Sequence, residues 1–404
     1  MKVKIVPRTL KGFRDFLPEE ARRRQYTIDI IRRTFERWGF EPLETPALEY
    51  LEVFSGNIGE DEKLFYKFED EGGRKIALRY DQTVPACRVI AQYPEEIKLP
   101  FKRYQIQNVW RTEKPQKGRF REFLQCDADI FGATNPEADG EVVALSIDVF
   151  KQLGFEKPVA LINDRALYKD VPYKAIVAID KLKKNGEKGV VRELVGKGYS
   201  EKEAEELLSK VKSSKANDNL KTIFSYLDDY EFKENYQFSP TLARSFSYST
   251  GVIWEIVVEG YGGGSVAGCE RFDSLVERFS KREVGAVGFA IGFDRTIEAM
   301  EEKRLFPDFE NKNKLLVCVW DKSGLKDSLR VAKRLRENGI VAETYTNPED
   351  KIEKQLKYAS RKEYGYTVLI GPDEKKKGVV SLKDMKSRKQ EEVTIEKVIQ
   401  SIKE

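Results

Sequence analysis

Apolar residues first recur at helical spacing between Pro18 and Gly39, where Ile28, Ile31, Phe35 and Trp38 fall on one face. A proline and two acids suit the start of such a helix, and the glycine suits its stop. Further along, the period changes to two. The runs KIALRY, FKRYQIQNVWR into REFLQCDADIF, and VIWEIVVEG into GGSVAG alternate or are rich in β-branched and aromatic residues, with turn residues at their ends. They predict a largely antiparallel sheet. Residues 139–154 predict a helix, and residues 166–232 a mostly helical, Lys-rich block inserted among the strands.

From Lys314 the order changes to LLVCVW, a helix over 323–338, VAETYT, a helix over 351–364, YTVLIG and GVVSLKDM. Alternating strands and helices predict a separate small α/β domain with a mainly parallel sheet. The polar, proline-bearing stretch 301–314 is the natural boundary, giving domains at 1–312 and 313–404. The expected architecture is an α+β domain built on an antiparallel sheet flanked by helices, with a helical insertion, followed by a C-terminal α/β domain.

A chain of 404 residues suits two or three such domains. With 40% apolar residues and a mean hydropathy of −0.56, it offers no run long enough to cross a bilayer. Its first residues show neither an export signal nor an organelle presequence, so the cytosol is the expected compartment. Charge is abundant but nearly cancels, 72 Lys/Arg against 68 Asp/Glu. From residue 313 onward there are 21 against 15, so the excess belongs to the C-terminal domain.

There is no histidine. That removes Ser-His and Cys-His nucleophiles, His-ligated zinc and imidazole general bases. Chemistry must run on carboxylates, guanidiniums, ammoniums, hydroxyls or the substrate itself. Cys87, Cys126, Cys269 and Cys318 form no CxxC pair and are expected to be reduced core thiols.

Two clusters carry candidate chemistry. Trp110-Arg111-Thr112-Glu113, a Lys114 to Gly118 turn, and Arg119-Phe120-Arg121-Glu122-Phe123 predict a hairpin with Arg111 and Arg121 on a common surface. Guanidiniums pair bidentately with phosphate and stack on a base, and Phe123 would stack on its other side. A hairpin laced by cross-strand salt bridges accounts for the same residues. Gly288-Phe289-Ala290-Ile291-Gly292-Phe293-Asp294-Arg295 predicts a strand running into a helix near Asp294, where glycines admit a ligand and Arg295 covers it. A glycine bulge before an ordinary helix is the plainer account.

Together these runs resemble the class II aminoacyl-tRNA synthetases, and over nearly the full length the chain is similar to the histidyl-tRNA synthetase family. The first class signature corresponds to the 18–39 helix and Glu44-Thr45-Pro46, the second to Arg111–Phe123 and the third to Gly292–Arg295. Family-specific runs are GFRDFLPEE, Arg79-Tyr80-Asp81-Gln82-Thr83-Val84-Pro85, PQKGRFREF, Gln125-Cys126-Asp127-Ala128-Asp129, and Leu242-Ala243-Arg244 before Tyr248 and Thr250-Gly251.

The resemblance implies a catalytic domain and an anticodon-binding domain. It implies a two-step reaction, in which histidine and ATP give histidyl adenylate and the acyl group then passes to the 3′ end of tRNA(His). By that likeness Arg111 and Arg244 hold the α-phosphate and are the catalytic candidates, and Glu113, Arg121, Phe123 and Arg295 complete the ATP site. Asp81, Gln82, Thr83, Gln125, Asp129 and Tyr248, with Arg111 and Arg244, surround the amino acid. Lys114 and Gln116 lie against the tRNA acceptor end, Lys375-Lys376-Lys377 and KDMKSRK attract the tRNA, Mg²⁺ with unassigned ligands accompanies ATP, and the chain forms a homodimer.

The amino-acid pocket departs from the family. Arg-Gly-Leu-Asp-Tyr-Tyr becomes Arg244-Ser245-Phe246-Ser247-Tyr248-Ser249, and Gly-Gly-Arg-Tyr-Asp becomes Cys269-Glu270-Arg271-Phe272-Asp273. Glu270 is a candidate acceptor for the imidazole N–H, with Ser249 beside it in the pocket; a plain ion pair with Arg271 or another cation is the alternative. A synthetase of altered amino-acid specificity and a non-catalytic regulatory paralogue are the two competing functions.

Overall fold

The computed structural model describes residues 5–56, 63–115, 118–243, 249–309 and 314–403. The chain divides into two compact units, Met1–Phe306 and Pro307–Glu404.

The first unit is organised by an eight-stranded sheet. Its strands are β1 (Glu41–Pro42), β2 (Phe101–Trp110), β3 (Glu122–Phe131), β4 (Pro158–Asp164), β5 (Tyr236–Phe238), β6 (Val252–Val258), β7 (Ala267–Arg271) and β8 (Ala286–Gly292). They lie in the order β1-β2-β3-β8-β7-β6-β4-β5. All neighbours are antiparallel except the short edge strands β1 and β5, which run parallel to β2 and β4. A smaller sheet joins Leu48–Tyr50, Lys75–Leu78 and Lys67–Glu69.

Period-two alternation gives the large sheet two unlike faces. On one, Cys126, Ala128, Trp254, Phe289 and Ile291 join the main apolar core with helices α1 (Pro18–Arg37), α2 (Pro136–Gln152) and α3 (Phe293–Glu302). α1 buries Ile28, Ile31 and Phe35, as its spacing predicts, and α2 buries nearly every side chain along its middle. The opposite face carries Arg103, Gln105, Gln125, Asp127 and Asp129, all at most 9% exposed. Buried polar groups are costly without partners, so a polar face withdrawn from solvent points to a site.

The helical block follows β4. Helices Tyr173–Ile179, Leu182–Gly196 and Glu201–Lys212 share their own small core, and the last begins with a Ser200–Glu203 capping box. The next helix, Asp218–Asp229, instead sends Leu220, Ile223 and Leu227 into the main core, so the separately packed part of the block ends before it.

The second unit has a five-stranded sheet in the order Ala342–Thr344, Leu315–Cys318, Tyr366–Leu369, Val380–Asp384, Gln390–Val393. The first three strands are parallel, but the last two pair antiparallel, so the sheet is mixed and not mainly parallel. The final strand, QEEV, is exposed over three of its four residues and lacks any apolar alternation, which is why its pattern is silent. Helices Leu325–Glu337 and Ile352–Arg361 lie inside the predicted spans, while Pro372–Lys377 and Ile395–Lys403 are additional. All four cysteines are buried thiols outside any disulfide. Among the described residues no helix is long and apolar enough to cross a membrane.

Candidate active site

The polar face of the sheet is the floor of a cavity of about 770 Å³ within the first unit. Register fixes that floor. Gly288, Ala290 and Gly292 of β8 stand opposite Asp129, Asp127 and Gln125 of β3, while Gly288 and Ala290 stand opposite Glu270 and Gly268 of β7. A line of small residues therefore runs between two strands bearing acids and amides, which makes a trough.

The β3 side is tightly held. Asp129 forms an ion pair with Arg103, its neighbour across β2, and both are essentially buried. Burial still pushes Asp129 up to about 6, against the attraction of Arg103. Asp81, just before the helix Thr83–Gln92, is likewise raised to about 6 by burial, although it accepts from the Val84 N–H. Asp127, deeper in the same row, is raised well above the ordinary carboxylate range by burial. On the β7 side, the Ser249 hydroxyl donates to Glu270. The neighbouring Arg271 turns to the other face, where it binds Asp139 and Asp273, so the Glu270–Arg271 pairing of the plainer account is not formed.

The rim is cationic. Arg111 lies 4.2 Å from the Tyr80 ring centroid and 5.2 Å from that of Phe123, and its Nε donates to the Tyr80 carbonyl. Glu113 faces both Arg111, at 4.0 Å, and Arg119, at 3.3 Å. Arg295, in the first turn of α3, donates to the Ser265 carbonyl across the glycine-bearing end of β8.

Arg111, Glu113, Phe123, Arg295, Asp81, Thr83, Gln125, Asp129, Glu270 and Lys114 all line this one cavity. Gln82 does not: its amide is fully buried and donates to the Gln107 and Gln125 carbonyls, bracing the floor from beneath. Arg121 also stands off the lining, because its side chain packs on Gly12 and donates to the Glu113 and Lys11 carbonyls. Arg119 and Phe120 line the cavity in its place. Ser249 reaches the site through Glu270. Arg244, Tyr248 and Gln116 lie outside the described residues.

Arg103, Asp127, Glu255 and Asp294 take no role from the sequence, the second and last being quoted there only within longer runs. For the first two, the alternation Arg103-Tyr104-Gln105-Ile106 against Asp127-Ala128-Asp129-Ile130 was the available signal, since it sets the polar residues on one face. Among the described residues no cluster of three or more Cys, Asp or Glu stands ready to hold a metal by itself.

The family sequence model described as histidyl-tRNA synthetase matches residues 12–296, and that of an anticodon binding domain matches residues 314–404. The histidine–tRNA ligase of Wolinella succinogenes is 38% identical over 94% of both chains, and that of Cytophaga hutchinsonii 35% identical over 98% of this chain and 99% of its own. The crystal structure of a histidyl-tRNA synthetase from Nostoc superposes with a TM-score of 0.84 at 27% identity, over 99% of each chain.

Proposed function

The chain belongs to the histidyl-tRNA synthetase family, and we propose that it activates histidine with ATP in this cavity and transfers the histidyl group to the 3′ end of tRNA(His). The observation that carries this reading is that the guanidiniums of Arg111 and Arg295 and the carboxylates of Asp81, Asp129 and Glu270 face a single cavity. Attack of the histidine carboxylate on phosphorus gathers negative charge at the α-phosphate, and preorganised guanidiniums stabilise it without a general base. Arg111 takes that role, joined by Arg244. Phe123 and Arg295 sandwich the adenine, Glu113 reads its edge, and Asp81, Thr83 and Gln125 hold the substrate ammonium.

ATP brings Mg²⁺, an ion that keeps much of its coordination from phosphate and water and needs only one or two carboxylates. Glu113, beside the arginines, suits that donor set, and the ion would offset phosphate charge. Lys114 and Gln116 meet the tRNA acceptor end, and the second unit reads the anticodon. The protein acts in the cytosol as a symmetric dimer; Leu48, Tyr50 and Phe68, each 45–52% exposed on the small sheet beside the first signature, are apolar surface for that contact.

Amino-acid-dependent ATP–pyrophosphate exchange with all twenty amino acids is the test. Exchange with histidine alone is the expected result. Exchange with another amino acid would assign a different specificity, and exchange with none would favour a regulatory paralogue.

A further inference from the structure

The run of chain that leads to Arg244 is fastened to the root of the helical block. Tyr168 ends the 3₁₀ turn Arg165–Tyr168 that follows β4, is 3% exposed and belongs to the small core of that block. Its hydroxyl lies 2.7 Å from the Pro240 carbonyl and 2.9 Å from that of Leu242, and donates to them. Asn163, the penultimate residue of β4 and fully buried, donates from its amide to the same two carbonyls at 3.2 and 2.9 Å and to the Tyr168 hydroxyl at 3.0 Å. Two amide protons and one hydroxyl proton thus meet two carbonyls and one hydroxyl oxygen, a set in which every acceptor is served. Burial pushes the phenol up, so it stays a donor. Ala243, next in the chain, is buried in the core of the helical block together with Tyr168.

Beyond residue 248 the chain is fastened again. Ser249 donates to Glu270, the Thr250 N–H to the Arg271 carbonyl at 2.9 Å, and the Arg165 N–H, in the same turn as Tyr168, to the Gly251 carbonyl at 3.0 Å. The exit of the block is pinned at this root as well, because Asn217, which caps the helix Asp218–Asp229, donates to Asp164 at 2.8 Å. By sequence Arg244 is two residues beyond Leu242, a reach of at most about 7 Å between Cα atoms. Whatever fixes Leu242 therefore fixes the origin of that side chain, and a misplacement of about 1 Å costs a positioned reaction up to about a hundredfold. Resting on the proposed role of Arg244 at the α-phosphate, we infer that Tyr168 is a positioning residue for the activation step: with Asn163 it moors Leu242 and Ala243 to the helical block, which makes the root of that block part of the adenylate-forming machinery.

Single-turnover formation of histidyl adenylate, with ATP and histidine titrated separately, tests this on full-length wild type, Tyr168→Phe, Arg244→Gln and the double variant, below the temperatures at which any of them unfolds. Tyr168→Phe keeps the ring in its core and removes only the hydroxyl. It is expected to lower the maximal rate about tenfold while the half-saturating concentrations of ATP and histidine change by less than about threefold. Arg244→Gln is expected to lower the rate about a hundredfold or more, and Tyr168→Phe to add less than about twofold to that loss, since a residue acting through Arg244 then has nothing to act on. Leu208→Ala, which loosens the same helical core away from its root, should lower the melting temperature and leave the rate within about twofold. Ala243→Gly, which frees the run without touching the buried donors, should slow the step about fivefold and decides the matter if Tyr168→Phe fails to fold. An unchanged rate in folded Tyr168→Phe, a loss in Leu208→Ala as large as its own, or losses that multiply in the double variant overturns the positioning role and leaves histidine activation standing. A full rate in Arg244→Gln overturns the α-phosphate role on which the proposal rests, and absence of histidine-dependent adenylate in wild type overturns the activation itself.

Discussion

Gly288 and Asp129 face each other across β8 and β3 so closely that the glycine hydrogen occupies the only space the carboxylate leaves. A methyl group there must displace Asp129 or the strand. Gly288→Ala is therefore expected to raise the histidine KM by at least about tenfold and to cost roughly 1–3 kcal/mol of stability through overpacking. Exchange kinetics and denaturant unfolding of the same preparation check both halves, and a variant that binds histidine like wild type would show that Asp129 does not set the floor.

The two faces of the sheet were legible wherever alternation was clean. Gln125, Asp127 and Asp129 alternate with Cys126, Ala128 and Ile130, and the structure separates them as the period dictates. What joins β3 to β8 and β7 was not legible. Register between strands more than a hundred residues apart is set by tertiary packing, so the row Asp129–Gly288–Glu270 has no local signature. Parity also fails beyond strand ends: β2 stops at Trp110 and β3 starts at Glu122, so Arg111 and Arg121 need not share a surface, and Arg121 turns to Gly12.

Asp294 accepts from Arg14 at 2.8 Å and from Arg24 at 2.7 Å. Arg14 in turn lies 3.2 Å from the Phe120 ring centroid, so the N-terminal segment is tied through Asp294 to a wall of the cavity proposed to take ATP. Removing the carboxylate strands Arg24, which is only 9% exposed. Asp294→Ala is expected to cost about 3–5 kcal/mol and, at temperatures where it is folded, to raise the ATP KM more than the histidine KM. Urea titration and separate substrate titrations check this. An equal rise in both would mean that Arg14 does not steady Phe120.

The lysine run of the second unit is locally offset. Lys375 pairs with Asp327 at 2.6 Å, Lys376 with Asp373 at 3.6 Å and Lys377 with Glu392 at 2.7 Å. Lysines committed to acids release few counterions on meeting a phosphate backbone. Replacing all three with alanine is expected to change the slope of log Kd against log salt for tRNA by less than about one, where three phosphate contacts would change it by about three. A fall near three would show that these ion pairs open on binding.

Activity and stability should move in opposite directions below neutrality. Burial raises Asp81, Asp129 and Asp139 to about 6 in the folded protein, against about 3.9 in the unfolded chain. Between those values the folded state binds protons that the unfolded state does not, so stability from these groups is complete below about pH 4 and is lost as pH rises through about 6. On the proposed reading the same protons remove the charges that receive the substrate, since Asp81 and Asp129 line the cavity. Lowering the pH from about 7.5 to 5.5 should therefore raise the melting temperature of the ligand-free enzyme while kcat/KM for histidine falls. The exposed acids Asp70, Asp218 and Asp350 are shifted downward by their hydrogen bonds and ion pairs, so their opposing loss of stability begins only below about pH 4. Calorimetry and exchange assays over one buffer series decide the matter: a melting temperature that falls together with activity would mean that the buried acids are ionised at no energetic cost, and that the polar face is solvated after all.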